Sequence, residues 1–375
     1  MLLEGALAAR ACDAIEAIAA DLRARSELED ASLAQGHAGV ALFFHALGDS
    51  ESAGFHLERA IASLDELDAS LFRGIAGVAF AVEQIRGGDL NASIDEALLE
   101  IADGLPTHDL VEGLTGIGVY ALERGAGGAE LLKKVVLLLE RRAVDGAAWL
   151  GEPALLAEGE RPVGDGYYNL GVAHGIAGVQ AFLGFAGRTV PEARELQRRS
   201  RTWMRQHRAP GFPAYPCLVG VDDPRNRQLR SGWCHGDPGL AAAWFSAAKA
   251  AGDEAWAEEA LQIARALAGR SSQELGVTDA GLCHGAAGLA HLFLRLQRRT
   301  GESVFAQESA IWFGRTLELR RREGGVGGFV AAGANGDSAD PGFLAGAAGI
   351  GLALLAAVGR AEPAWDRVLL VSHYG

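Results

Sequence analysis

Residues 283–294 read CHGAAGLAHLFL: a glycine, two residues, a second glycine, then an apolar run. The same form begins at Gly36 (GHAGVALFF), Gly74 (GIAGVAFAV), Gly113 (GLTGIGVYAL) and Gly175 (GIAGVQAFL). It returns at Gly236 (GDPGLAAAWF), and again at Gly346 (GAAGIGLALL) after the copy at Gly285. Successive starts are 38, 39, 62, 61, 49 and 61 residues apart. Even the shortest interval holds two helices and two turns, so the period is that of a helical hairpin.

Between these apolar runs lie segments of a different kind, such as AELLKKVVLLLERR at 129–142 and DEAWAEEALQIARALAGR at 253–270. Their apolar residues recur every three or four positions, which predicts helices with one buried face. The runs after the glycines are apolar nearly all round, which predicts helices buried on every side. Two concentric rings follow, with the glycine-led helices inside, because glycine permits a sharp turn and close backbone approach. No alternating strand pattern interrupts the series. The expected fold is all-α, an α/α toroid of seven hairpins in one domain over residues 1–375. Its repeats span about 32–355, behind an N-terminal helix over 1–30.

Composition narrows the function. The 375 residues are 49% hydrophobic and carry a net charge of -14, with a pI near 5.2. That balance argues against a sequence-independent nucleic-acid binder, which needs clustered cations. No apolar run approaches the roughly 20 residues of a membrane span. The N-terminus MLLEGALAARACDAIEAIAADLRARSELED is amphipathic, unlike a signal peptide with its basic start and unbroken apolar centre. A cytoplasmic location is expected, where Cys12, Cys217, Cys234 and Cys283 would remain reduced.

The rim just before the glycines is where chemistry gathers. Repeats one, two and seven (SLAQGHAG, SLFRGIAG, GFLAGAAG) carry no group of metal ligands there. Repeat three carries Asp109 and repeat four His174; repeat five carries Arg230, Trp233, Cys234 and His235; repeat six carries Cys283 and His284. Cys234, Cys283 and His284 form a natural ligand set for one zinc ion, since thiolate and imidazole suit Zn²⁺ and three protein ligands leave a fourth position open. The plainer reading is two buried cysteines at helix ends.

The motifs SGWCHGDPG, LCHGAAG, NLGVAHGIAG and DLVEGLTG resemble those of the lanthionine synthetase C-like proteins, the cyclases of lanthipeptide biosynthesis. SLAQGHAGVALFF and PGFLAGAAGIGLALL resemble that family's terminal repeats, so the likeness runs from about residue 32 to about 355. It implies an α/α toroid with one Zn²⁺ on Cys234, Cys283 and His284. The implied reaction is addition of a peptide cysteine thiol to dehydroalanine or dehydrobutyrine, giving a thioether ring.

That chemistry needs a thiolate nucleophile, a partner for the enolate and a proton for its α-carbon. A zinc ion with an open position would favour the thiolate. His174 titrates near neutrality and suits proton transfer, and the resemblance gives this position the family's catalytic histidine. Arg230 can stabilise the enolate oxygen or hold the peptide backbone. Asp109 can orient His174 or receive a proton. His235, next to a ligand, reads as a substrate contact or a support for the metal site, and Trp233 as packing. The remaining histidines are read as surface or core residues, Cys12 as a small buried residue and Cys217 as loop packing.

Repeats two and three are too close together for the inserted module of some family members, so no leader-binding surface is carried over. The chain has no room for a fused dehydratase. A stand-alone cyclase is expected, acting on a precursor peptide dehydrated by another protein, with an exporter as a further candidate partner. The alternative is a zinc-holding peptide- or thiol-binding scaffold without turnover. A prenyltransferase-like site would need a carboxylate ligand, and a glycosidase two facing carboxylates; neither suits these motifs.

Overall fold

All seven glycine motifs open a helix. In a computed structural model, which describes residues 2–374 apart from 26, 157–161, 165, 222–230, 322 and 334–335, the first glycine of each is the residue before the helix. The helices are α2 (His37–Leu47), α4 (Ile75–Ile85), α6 (Leu114–Arg124), α8 (Ile176–Ala186), α10 (Asp237–Ala251), α13 (Ala286–Thr300) and α15 (Ala347–Val358). Each packs on the next, and α15 packs on α2, so the inner ring closes. Their burial fits the all-apolar reading: every residue of α8 is buried.

An outer helix follows each of the first six: α3 (Ser50–Ala62), α5 (Ala92–Ile101), α7 (Ala129–Arg142), α9 (Glu192–Arg205), α11 (Glu254–Arg265) and α14 (Ser303–Glu318), with a one-turn helix, α12 (Ser272–Leu275), between α11 and α13. The six outer helices are amphipathic, with α9 burying Leu196, Ser200 and Met204 and leaving its charges outside apart from Arg201, which is buried and paired with Asp253 at 2.5 Å. The seventh outer position is filled by α1 (Gly5–Ala24), which packs on α15 and α14. The N-terminal helix is therefore the missing half of the last hairpin, joined from the far end of the chain. Its exposed face carries Cys12, which is solvent-accessible and not buried as expected.

The turn before each inner helix is also a repeated unit. Six residues ahead of the first glycine stands Asp30, Asp68, Asn169, Asp279 or Asp340, whose side-chain oxygen accepts the amide two residues on, at 2.6–3.0 Å. At the aspartates the backbone carbonyl also accepts the first amide of the helix, at 2.8–3.0 Å. The chain thus folds back tightly onto the helix start, supplying a partner for an amide that would otherwise have none. That fold-back explains the second glycine: a Cβ on Gly288 would stand 2.0 Å from the Leu282 carbonyl oxygen.

These turns link to one another in a closed chain of backbone hydrogen bonds of 2.8–3.4 Å. Ala34 donates to Phe72, Phe72 to Val111, Leu110 to Ala173 and Val172 to Cys234. Trp233 donates to Cys283, Cys283 to Leu344, and Phe343 back to Ala34. The seven turns form one rigid rim.

Strand content is small. Tyr168–Asn169 (β1) pairs antiparallel with Leu218–Val219 (β2), and Ala331–Gly333 (β3) with Gly336–Ser338 (β4). The first ribbon ties two of the long loops together beside the rim. On the other side, residues 365–374 run under the ring: buried Asp366 meets His291 at 2.8 Å, and Arg367 meets Glu123 at 3.0 Å. None of the described helices is long and apolar enough to cross a membrane.

Candidate metal centre

Because the seven turns are equivalent, the two residues before each first glycine, Glu112 excepted, line one cavity of about 330 Å³. Two positions before the glycine, repeats one to four and seven place Ala34, Phe72, Val111, Ala173 and Leu344; repeats five and six place Cys234 and Cys283. One position before it, the cavity is lined by Gln35, Arg73, His174, His235, His284 and Ala345. Repeat three has Glu112 there, paired with Arg73.

The ligand-type atoms of Cys234, Cys283 and His284 lie within 4.8 Å of one another. Zinc–sulfur bonds of about 2.3 Å and zinc–nitrogen bonds of about 2.0 Å, set tetrahedrally, need donors roughly 3.5–3.8 Å apart. Small side-chain rotations close that gap. Two thiols and an imidazole also match zinc in softness. Among the described residues this is the one grouping of three such side chains. The hydrogen bond from Cys283 draws the Cys234 thiol well below its ordinary range, with help from His235 and His284, despite complete burial. A thiol so poised is already inclined toward the charged, metal-binding form. His284 Nε2 is 3.6 Å from Asp279 Oδ2, on the same aspartate that builds its turn.

Beside this group stands a second. His174 Nδ1 is 2.7 Å from Asp109 Oδ2. Asp109 is buried, and its other oxygen accepts the Glu112 amide at 2.8 Å. Burial works against the charged imidazole of His174, but the Asp109 hydrogen bond and charge, with Glu112 and Cys234 behind them, outweigh it and raise the pKa. His174 is thus biased toward imidazolium.

The other sequence expectations sort as follows. His235 lines the cavity but is outside the three-residue group, and its buried Nδ1 has no hydrogen-bond partner among the described residues. Trp233 is packed under the rim, with its indole N–H donating to the Leu369 carbonyl at 2.9 Å. Cys217 is buried, with its thiol pushed up to about 12 by burial and by Asp237 and Cys234. It behaves as a packed thiol. Arg230 lies outside the described residues. Sequence reasoning missed Arg73 and Gln35, although the position before each glycine was the signal that could have found them.

The family description "Lanthionine synthetase C-like protein" matches residues 27–370. The chain belongs to the lanthionine synthetase C-like family. A solved structure titled "Nisin cyclase" superposes on it with a TM-score of 0.71, covering 95% of this chain and 96% of that one at 20% identity. At that identity the likeness establishes the fold, an α/α toroid. No functionally curated protein matches this family member in sequence.

Proposed function

We propose that this protein is a zinc-dependent peptide cyclase, joining a cysteine sulfur to a dehydroalanine or dehydrobutyrine of the same peptide as a thioether. The observation that carries the reading is the convergence of Cys234, Cys283 and His284 beside the Asp109–His174 pair in one cavity. The cyclase named by the structural neighbour is consistent with it.

Cys234, Cys283 and His284 would hold the ion, and zinc bound there supplies the charge that keeps a substrate sulfur as thiolate near neutral pH. The chain's own groups and solvent account for the protons. The substrate thiol's proton leaves to solvent as the sulfur becomes thiolate, and His174 enters the step as imidazolium, the form its Asp109 partner favours. The sulfur forms its bond to the β-carbon, the alkene electron pair moves toward the acyl group as an enolate, and His174 gives its proton to the α-carbon and is reprotonated from solvent. Nothing is lost or gained overall, so the product has the mass of the dehydrated peptide. Asp109 holds the imidazole ring in place and favours its protonated form. His235, at the cavity wall next to Cys234, suits contact with the peptide, and Arg230 suits the enolate oxygen. The peptide would come from a precursor dehydrated by a separate protein, with an exporter as a further partner. Cytosolic conditions suit thiols in this role, and no disulfide joins the four cysteines.

The test is to incubate the protein with a dehydrated precursor, alkylate free thiols and weigh the product. Loss of alkylatable thiol at unchanged mass, abolished by Cys283→Ala or by chelation, is the expected result. Full retention of alkylatable thiols across precursors, with zinc still bound, would move the protein to the scaffold class.

A further inference from the structure

The rim has an order, and the order sets what faces the candidate metal ligands. The backbone links run repeat to repeat around a closed ring of seven. Repeat two is three steps from repeat five in one direction and three from repeat six in the other. Arg73, on repeat two, therefore stands across the cavity from Cys234, Cys283 and His284. Among the described residues lining the cavity it is the one side chain of lysine or arginine type.

Its surroundings leave it available. Arg73 Nη1 is 3.4 Å from Glu112 Oε1, with the arginine side chain 67% exposed and the glutamate 34%. An ion pair that exposed contributes little to folding. It does set the guanidinium beside a residue whose backbone amide is anchored by Asp109. One end of the fork meets Glu112, and most of the side chain stays open to a further partner. Gln35, on the adjoining repeat, adds a carboxamide to the same wall. A cavity of about 330 Å³ is at the small end of ligand sites, so it admits a short turn of peptide and not a folded protein. Every residue of such a turn offers a carbonyl acceptor, and arginine's planar donors suit that oxygen.

We infer that Arg73 is a substrate-binding residue, taking a backbone carbonyl of the peptide opposite the sulfur-binding side and thereby setting how the chain crosses the cavity. The inference rests on the cyclase reading for its substrate class.

The probe is a terminally blocked fluorescent hexapeptide with dehydroalanine and cysteine, together with an unreactive analogue carrying alanine in place of dehydroalanine. Loss of a hydrogen bond to a charged donor predicts that Arg73→Ala weakens analogue binding and raises KM by about tenfold, with kcat within about threefold and zinc content unchanged. Arg73→Lys, which keeps the charge and loses the fork, should recover part of that loss. If the alanine variant fails to fold, the lysine variant alone should still weaken analogue binding about threefold. Analogue Kd and KM both within twofold of wild type would overturn the assignment, as would a fall in kcat with Kd intact. A wild type that binds the analogue yet forms no thioether would sink the cyclase reading alone, leaving Arg73 to be judged on Kd.

Discussion

Repeats six and seven are neighbours with the same backbone and opposite contents. In both, an aspartate six residues before the glycine accepts the amide two residues on, Asp279 at 3.0 Å and Asp340 at 2.7 Å. In both, that aspartate's carbonyl receives the first helical amide, at 2.9 and 3.0 Å. The Cys283 amide donates to the Leu344 carbonyl at 2.8 Å, so the two turns are also bonded together. Yet repeat six presents Cys283 and His284 to the cavity where repeat seven presents Leu344 and Ala345. The backbone supplies equivalent positions, and two residues per repeat decide whether a position carries chemistry.

The strongest way to break this contrast is to rewrite one turn as the other. Cys283→Leu with His284→Ala should leave helicity and cooperative unfolding intact, while bound zinc falls from one per chain to none and thioether formation drops to background. Metal analysis beside a thermal melt checks this, and a variant that still binds one zinc would remove these residues from the ligand set.

The backbone half of the comparison predicts an equal penalty in both repeats. A Cβ would stand 2.0 Å from the Leu282 carbonyl oxygen at Gly288 and 1.8 Å from that of Phe343 at Gly349. Gly288→Ala and Gly349→Ala should each cost about 3 kcal/mol, since the chain must shift to admit the methyl group. Gly314, inside α14, would meet nothing within 4 Å, and Gly314→Ala should stabilise by about 0.5–1 kcal/mol. Denaturant melts of the three variants decide the matter; a neutral Gly349→Ala would mean that the turn is not under steric control.

A smaller effect sharpens the contrast between repeats three and four and the bare repeats. Asp109→Asn keeps an oxygen for the Glu112 amide but removes the charge that raises the His174 pKa. His174 donates in its protonated form, and activity is lost as pH rises through its pKa. Lowering that pKa should move the alkaline limb to lower pH and slow turnover along that limb. An unmoved limb would separate Asp109 from the proton chemistry.

Much of this was legible in residues alone. The seven glycine pairs announced seven inner helices because a tight turn onto a helix excludes side chains at those places, whatever surrounds them. Cys234, Cys283 and His284 stood out because soft ligands are scarce in a chain with four cysteines. The aspartates six residues before the glycines were overlooked, since a turn-capping carboxylate looks like any surface acid until its hydrogen bond is seen. Cys12 was misread because the helical period of α1 does not say which face turns inward.

Sequence by itself determined the repeat, its glycine-led turns and the identity of the candidate ligand side chains, all of which depend on neighbours a few residues away. Tertiary structure alone decided that the first helix completes the last hairpin, that Cys234 and Cys283, 49 residues apart, share one cavity, and that Arg73 lines it with them. Those facts depend on the ring closing, and closure comes from packing and hydrogen bonds between segments that no local pattern connects.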